Sequence, residues 1–198
     1  NMMGLIRQPE FVLYNYAVLA TLPNEEWING FAEIIKHAAI LDADMFGLLA
    51  QNNIQSWTKD TKDLSALIKR NVLLKAKMVQ EDEHEKGRRK LLNFGHTLGH
   101  AIEQINELSH GHAVAIGMVF AARIAEKQTG FNESAKLIAL LEKYQLPTHA
   151  NYDATVAFKN MVADKKRTGN AIDFILLEHI GQAIIQPLQV DQLKLELQ

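Results

Sequence analysis

From Asn24 to about Lys165 the chain is written in helical periods, with strand-type runs confined to its two ends. Apolar residues recur at Trp27, Phe31, Ile34, Ile35 and Ala38, and again at Leu64, Leu67, Ile68, Val72, Leu73 and Ala76. Spacings of three and four place each set on one helix face, and several such faces must bury one another. The expected architecture is therefore mainly α. Helices are expected over Asn24–Leu41 with Asn24 as its cap, from Asp42 or Asp44 through Leu49, and over Asp63–Met78. Others follow from an Asn93 cap to Asn106, and over Gly111–Thr129, Glu133–Tyr144, Asp153–Lys165 and Val190–Leu197. Phe11–Asn15 reads as a short N-terminal edge strand. Ile172–Leu177 and Ala183–Gln186, flanking Gly181, read as a small β-hairpin near the C-terminus. No repeat or linker interrupts the pattern, so 1–198 reads as a single domain.

Composition narrows the function classes. A net charge of −2 and no basic stripe interleaved with aromatics argue against nucleic acid as a partner. The longest apolar stretches, such as Ala113–Ala122, are too short to span a membrane. The N-terminus lacks the pattern of a signal peptide, so a cytoplasmic protein is expected. The absence of cysteine excludes disulfides, thiolate-bound zinc and a thiol nucleophile. The first residue is not methionine, consistent with a piece of a longer protein.

The chemistry is concentrated between Glu81 and Ile116, where five of the eight histidines and the Arg88–Arg89 pair fall. His96 and His100 are four apart and share a helix face. Such a pair is often no more than surface or core polar residues, but further donors stand nearby in His110, His112, Glu103 and the Glu81–Glu85 loop. Three His/Glu ligands with an open fourth position is the usual form of a catalytic zinc site, with His96 and His100 the pair that spacing alone proposes. Glu33 and Lys36 share a half-apolar helix face, which an intrahelical ion pair would also explain. For Lys75, Lys77, Arg88, Arg89 and Lys165–Arg167 a solvated surface is the simplest reading. No glycine-rich phosphate loop is present.

Three strings, GFAEIIKHAAI (Gly30–Ile40), KAKMVQEDEHEKGRRKLLNFGHTLGHAIE (Lys75–Glu103) and HGHAVAIGM (His110–Met118), together resemble 3-dehydroquinate synthase. MMGLIRQPEFVLYN, LATLP (Leu19–Pro23) and DKK (Asp164–Lys166) extend the resemblance essentially end to end, over the C-terminal half of that enzyme. It implies a helical metal- and substrate-binding half, preceded in the family by an α/β domain that holds most of the NAD.

The resemblance also implies residue roles. The zinc (or cobalt) ligands fall on Glu33, His96 and His110, which removes His100 from the metal and places it near the substrate as a proton-transfer group. Lys36, Lys75, Arg89 and Asn93 match residues that hold the substrate's carboxylate and hydroxyls, with Lys36 also counted among the catalytic groups. Glu85 matches a glutamate acting in proton steps through water. Lys165, Lys166 or both reach the phosphate. Asn1 matches an asparagine near phosphate and cofactor, and Val18–Thr21 a segment touching NAD, so Asn1, Val18 and Thr21 are the expected cofactor contacts. His112 stands where many members carry a carboxylate.

The family converts DAHP, a seven-carbon sugar acid phosphate of the shikimate pathway, into 3-dehydroquinate. The steps are transient oxidation by NAD, phosphate elimination, reduction, ring opening and aldol closure. A homodimer is expected of the full enzyme, and no turnover of this piece alone. Other sugar phosphate cyclases, of the 2-deoxy-scyllo-inosose or valiolone type, are the nearest alternative. A non-catalytic helical assembly domain is the alternative from another class.

Overall fold

The computed structural model describes residues 8–164 and 170–197. Helix α1 (Asn24–Leu41) begins directly after Pro23, so Asn24 is its first residue and Pro23 takes the cap position. Asp42 ends α1 and caps α2 (Ala43–Gln51), its Oδ1 accepting from Met45 N at 2.9 Å. The same carboxylate receives two 2.6 Å hydrogen bonds from Arg70 of α4 (Thr61–Glu81), pinning the α1–α2 corner to that helix. Helix α4 starts two residues before Asp63 because Asp60 caps it, accepting from Lys62 N and Asp63 N. A short helix that the periodicity does not announce, α3 (Ile54–Lys59), is closed by a reciprocal Asn53–Ser56 capping box.

After the 81–87 loop, a 3-10 turn over Arg88–Asn93 leads into α5 (His96–Asn106). The expected cap, Asn93, lies inside that turn. The residue before the helix is Gly95 at φ +80°, a left-handed conformation open to glycine.

Helix α6 (His110–Gln128) is the axis of the core, with twelve of its residues from Gly111 to Ala125 buried. It packs against α1, α5, α7 (Ser134–Lys143) and strand β1 (Ala171–His179). The close α5–α6 contact depends on Gly117, where an added Cβ would lie 1.8 Å from the Gly95 carbonyl oxygen. With the start of α5 seated against Val114 to Met118 of α6, the rings of His96 and His100 come within 5.4 and 6.0 Å of the His110 ring.

Helix α8 (Ala154–Asp164) packs on α5, its first turn capped by Asp153, which accepts from Thr155 N and Val156 N. Strands β1 (Ala171–His179) and β2 (Gln182–Gln189) form the expected antiparallel hairpin, with Ile175 opposite Ile185. Gly181 N donates to Ala39 O at 2.8 Å, tying the hairpin turn to the end of α1. Helix α9 (Val190–Glu196) closes the fold. Away from the histidines, Trp57 Nε1 donates to Tyr144 OH at 2.7 Å, and that hydroxyl donates to Leu49 O at 3.0 Å.

The fold is thus mainly helical with a small C-terminal hairpin. The expected N-terminal strand does not form. Phe11–Asn15 pairs with no strand among the described residues, and Phe11 and Leu13 are 80% and 87% exposed. A strand needs a neighbour to satisfy its backbone, and the hairpin lies elsewhere. No helix among the described residues is long and apolar enough to cross a membrane.

Candidate metal centre

Three helices supply the cluster. Glu33 comes from α1, His96 from the first residue of α5 and His110 from the first residue of α6. Their ligand-capable atoms all lie within 4.8 Å of one another. His96 Nε2 and His110 Nε2 stand 3.7 and 3.8 Å from Glu33 Oε1. That oxygen is buried and has no hydrogen-bond partner.

The other edge of each ring fixes what the cluster can hold. His96 Nδ1 lies 3.2 Å from the Phe94 carbonyl oxygen, and a carbonyl only accepts, so Nδ1 carries the proton. His110 Nδ1 lies 3.3 Å from Glu103 Oε2, which assigns the proton there in the same way. Both Nε2 atoms then present lone pairs toward a carboxylate oxygen that also has only lone pairs to offer. Burial, followed by the nearby Lys36 ammonium, pushes the His96 imidazole down to about 3, so it does not turn into a cation to meet Glu33. Three mutually facing acceptors with no donor among them fit a divalent cation, and His/His/Glu is a donor set that zinc accepts.

Glu33 Oε2 is engaged separately, by Lys36 Nζ at 2.8 Å. Burial raises the Glu33 carboxyl, but the charge and hydrogen bond of Lys36 outweigh it and hold Glu33 below the ordinary carboxylate range. Burial in turn lowers the Lys36 ammonium; Glu33 opposes the shift and Lys75, across on α4, adds to it. Lys36 is thus buried against the Glu33 carboxylate, which opposes the effect of burial on its ammonium.

His100 stands on the same face of α5, its ring 5.1 Å from that of His96 and 6.0 Å from that of His110. It is absent from the Glu33 group and belongs with Glu103 and His110 to a second cluster of ligand-capable atoms. The HxxxH pair suggested by spacing is therefore divided in space, His96 toward Glu33 and His100 beside it.

The 81–94 segment is folded by one side chain. Asp82 accepts from the backbone N–H groups of Lys86, Gly87 and Arg89 at 3.0, 2.8 and 3.0 Å, which hold its carboxyl low. Within this bracket Glu85 takes φ +55°, and its Oε1 accepts from Asn93 Nδ2 at 2.6 Å. Arg89 Nη1 donates to Glu83 O at 2.6 Å. Lys90 Nζ reaches Asp173 Oδ2 at 2.7 Å, anchoring the 3-10 turn to β1.

Val18 and Thr21 lie on the exposed 3-10 turn Tyr16–Thr21, apart from these contacts. Asn1, Lys165 and Lys166 lie outside the described residues. A separate groove of about 530 Å³ between α2 and α7, lined by Ala43, Phe46, Gly47 and Leu140 among others, contains none of the clustered histidines.

Two groups escaped the sequence reading. His37 is buried behind Glu33, its Nδ1 2.7 Å from Asn71 Oδ1 and its Nε2 3.9 Å from Glu33 Oε2. Its position one turn after Glu33 on an apolar face was the available signal. Asp82 was the other, legible as an acidic residue at the end of a helix before a glycine-containing loop.

The family model described as 3-dehydroquinate synthase C-terminal matches residues 30–167. The 3-dehydroquinate synthase of Latilactobacillus sakei subsp. sakei is 39% identical over 200 residues, covering all of this chain and 55% of that protein. The chain thus spans about half the length of such relatives. Among solved structures, a 2-deoxy-scyllo-inosose synthase complexed with carbaglucose-6-phosphate, NAD+ and Co2+ superposes at TM-score 0.82 and 26% identity, over 100% of this chain and 58% of that one. The 2-epi-5-epi-valiolone synthase of Streptomyces hygroscopicus subsp. jinggangensis, with NAD+ and Zn2+ bound, gives 0.79 and 25%, over 91% of this chain and 52% of that one. With a family match over most of its length and a relative at this identity, the chain belongs to the 3-dehydroquinate synthase C-terminal family.

Proposed function

We propose that this chain is the metal- and substrate-binding half of a 3-dehydroquinate synthase, a phosphate-eliminating carbon–oxygen lyase that converts DAHP to 3-dehydroquinate for aromatic amino-acid biosynthesis. The observation that carries the reading is the convergence of Glu33 Oε1, His96 Nε2 and His110 Nε2, three acceptors from three helices with no donor between them. These residues hold zinc, or cobalt in its place. When bound, the cation supplies Lewis acidity toward substrate hydroxyls.

The surrounding groups suit an anionic sugar. Lys36, Lys75 and Arg89 provide cations for its carboxylate and hydroxyl oxygens. The Glu83 carbonyl that Arg89 now occupies is a neutral acceptor that an anionic substrate displaces. Asn93 and Glu85, already hydrogen-bonded, form a polar pair through which Glu85 handles a water-borne proton. His100 sits beside the metal ligands without joining the Glu33 group, as a proton-transfer residue requires. Lys165, Lys166 or both bind the phosphate. Asn1, Val18 and Thr21 face NAD, which is held mainly by an N-terminal half; the bare apolar residues Phe11 to Val18 are consistent with a surface that such a half covers. The complete enzyme works as a cytoplasmic homodimer in this reading, with no nucleic-acid or membrane partner.

Other sugar phosphate cyclases share this scaffold, as the two superposed structures illustrate. The identity of 39% to a dehydroquinate synthase favours DAHP, as does the trio Arg89, Asn93 and His100, which suits a carboxylate-bearing substrate. The protein that joins this chain to an NAD-binding half should release phosphate from DAHP and leave sedoheptulose 7-phosphate untouched. Consumption of the second substrate alone would overturn the assignment. The 198-residue chain by itself should bind zinc without making 3-dehydroquinate.

A further inference from the structure

We infer that Glu103 is a positioning residue for His110, holding the ring so that Nε2 rather than Nδ1 is offered to the metal. This rests on the metal centre proposed above and adds a residue to it.

His110 belongs to two groups of ligand-capable atoms, one with Glu33 and His96, the other with His100 and Glu103. The two nitrogens of an imidazole point to opposite edges of the ring, so a single ion takes one of them. The distances divide the ring's edges. Nε2 lies 3.8 Å from Glu33 Oε1, on the side where His96 Nε2 also points, while Nδ1 lies 3.3 Å from Glu103 Oε2. A carboxylate accepting from Nδ1–H leaves the Nε2 lone pair free and makes it more basic, the arrangement by which outer carboxylates tune metal-bound histidines.

Placement explains why His110 needs such a partner. It is the first residue of α6 and its side chain is 48% exposed, so packing alone does not set the ring. His96, by contrast, is nearly buried and held by the Phe94 carbonyl. Glu103 follows His96 by seven residues on α5, two turns along the same face. One helix stripe thus carries a ligand at one end and the brace for a second ligand at the other.

Zinc binding by the 198-residue chain, measured by chelator competition with Zn2+ alone, tests this directly. Glu103→Ala should weaken binding by about ten- to a hundredfold. Glu103→Gln, whose amide oxygen still accepts from Nδ1–H, should recover most of the loss, and the visible spectrum of the Co2+ form should keep the wild-type ligand count. Failure of Glu103→Gln to recover affinity, with a cobalt spectrum that has lost a ligand, would make Glu103 a ligand and overturn the inference. So would wild-type affinity in Glu103→Ala.

Histidine 15N resonances of the unsubstituted zinc form give a check independent of any variant. They should show His110 protonated at Nδ1 and metallated at Nε2, and metallation at Nδ1 would overturn the inference. Glu33→Ala tests the centre itself. If it binds zinc as wild type does, the centre is misassigned whatever Glu103 does. If it abolishes binding while Glu103→Ala changes nothing, only the role of Glu103 falls.

Discussion

Replacing Gly117 by alanine should damage both the fold and the metal centre. The new methyl carbon would lie 1.8 Å from the Gly95 carbonyl oxygen, 2.8 Å from its carbon and 3.0 Å from Gly99 N. A relaxed contact needs roughly 3.5 Å, so α5 and α6 must part by roughly 1.7 Å. All three obstructing atoms are backbone, and no rotamer change relieves them. Overpacking of this kind costs about 1–3 kcal/mol, and the backbone clash places this case at about 3. Gly95 also precedes His96, whose Nε2 sits 3.7 Å from Glu33 Oε1, so the same displacement should lower zinc affinity by about tenfold or more. Urea unfolding and chelator competition read the two effects. Gly30→Ala is the control, because nothing lies within 4 Å of a Cβ there and alanine is the better helix former. A Gly117→Ala chain with the urea midpoint and zinc affinity of wild type would refute the packing account.

Three further outcomes follow from buried and bracketed groups. Burial, reinforced by Lys36, pushes His37 down to about 4. The unfolded chain therefore takes up its proton first, and stability falls as pH drops from about 6.5 toward 4. The metal-free chain should lose about 2 kcal/mol from this group between pH 7 and pH 5, and His37→Gln should flatten that slope in urea titrations. Asp82→Ala removes the acceptor for three backbone N–H groups, so amide exchange at Lys86, Gly87 and Arg89 should quicken by about tenfold or more, with α1 and α6 unchanged. Tyr144→Phe strands the Trp57 indole N–H in the core, while the Leu49 carbonyl keeps its bond from Asn52 N, and should cost about 1–3 kcal/mol in chemical denaturation.

Much of the fold was legible because helical stripes and caps are local. The 3.6-residue period located most of the helices, and Gly181 between two apolar runs marked the hairpin. What failed was either short or dependent on a partner. Helix α3 has six residues, too few to show a period. Asn93 looked like a cap by residue type, yet the tight α5–α6 approach calls for a left-handed glycine before the helix, and Asn93 bonds Glu85 instead.

The site was less legible, since a ligand set assembled from three helices has no single spacing. From residues alone, His96 and His100 looked like the metal pair, with His110, His112, Glu103 and the carboxylates of the Glu81–Glu85 loop as further donors. Only the resemblance to dehydroquinate synthase pointed to Glu33, which lies on α1, far from His96 in sequence and 3.7 Å from it in space. The second group of ligand-capable atoms around His110 and the bracket at Asp82 became visible only with the helices packed.

The central claim is that Glu33, His96 and His110 together hold a divalent cation. A structure of this chain soaked with Zn2+ tests it most directly. Coordination by a Glu33 carboxylate oxygen, His96 Nε2 and His110 Nε2, with His100 outside the coordination sphere, is the predicted result. Zinc held by His96 and His100 without Glu33, or by His100, Glu103 and His110, would contradict it.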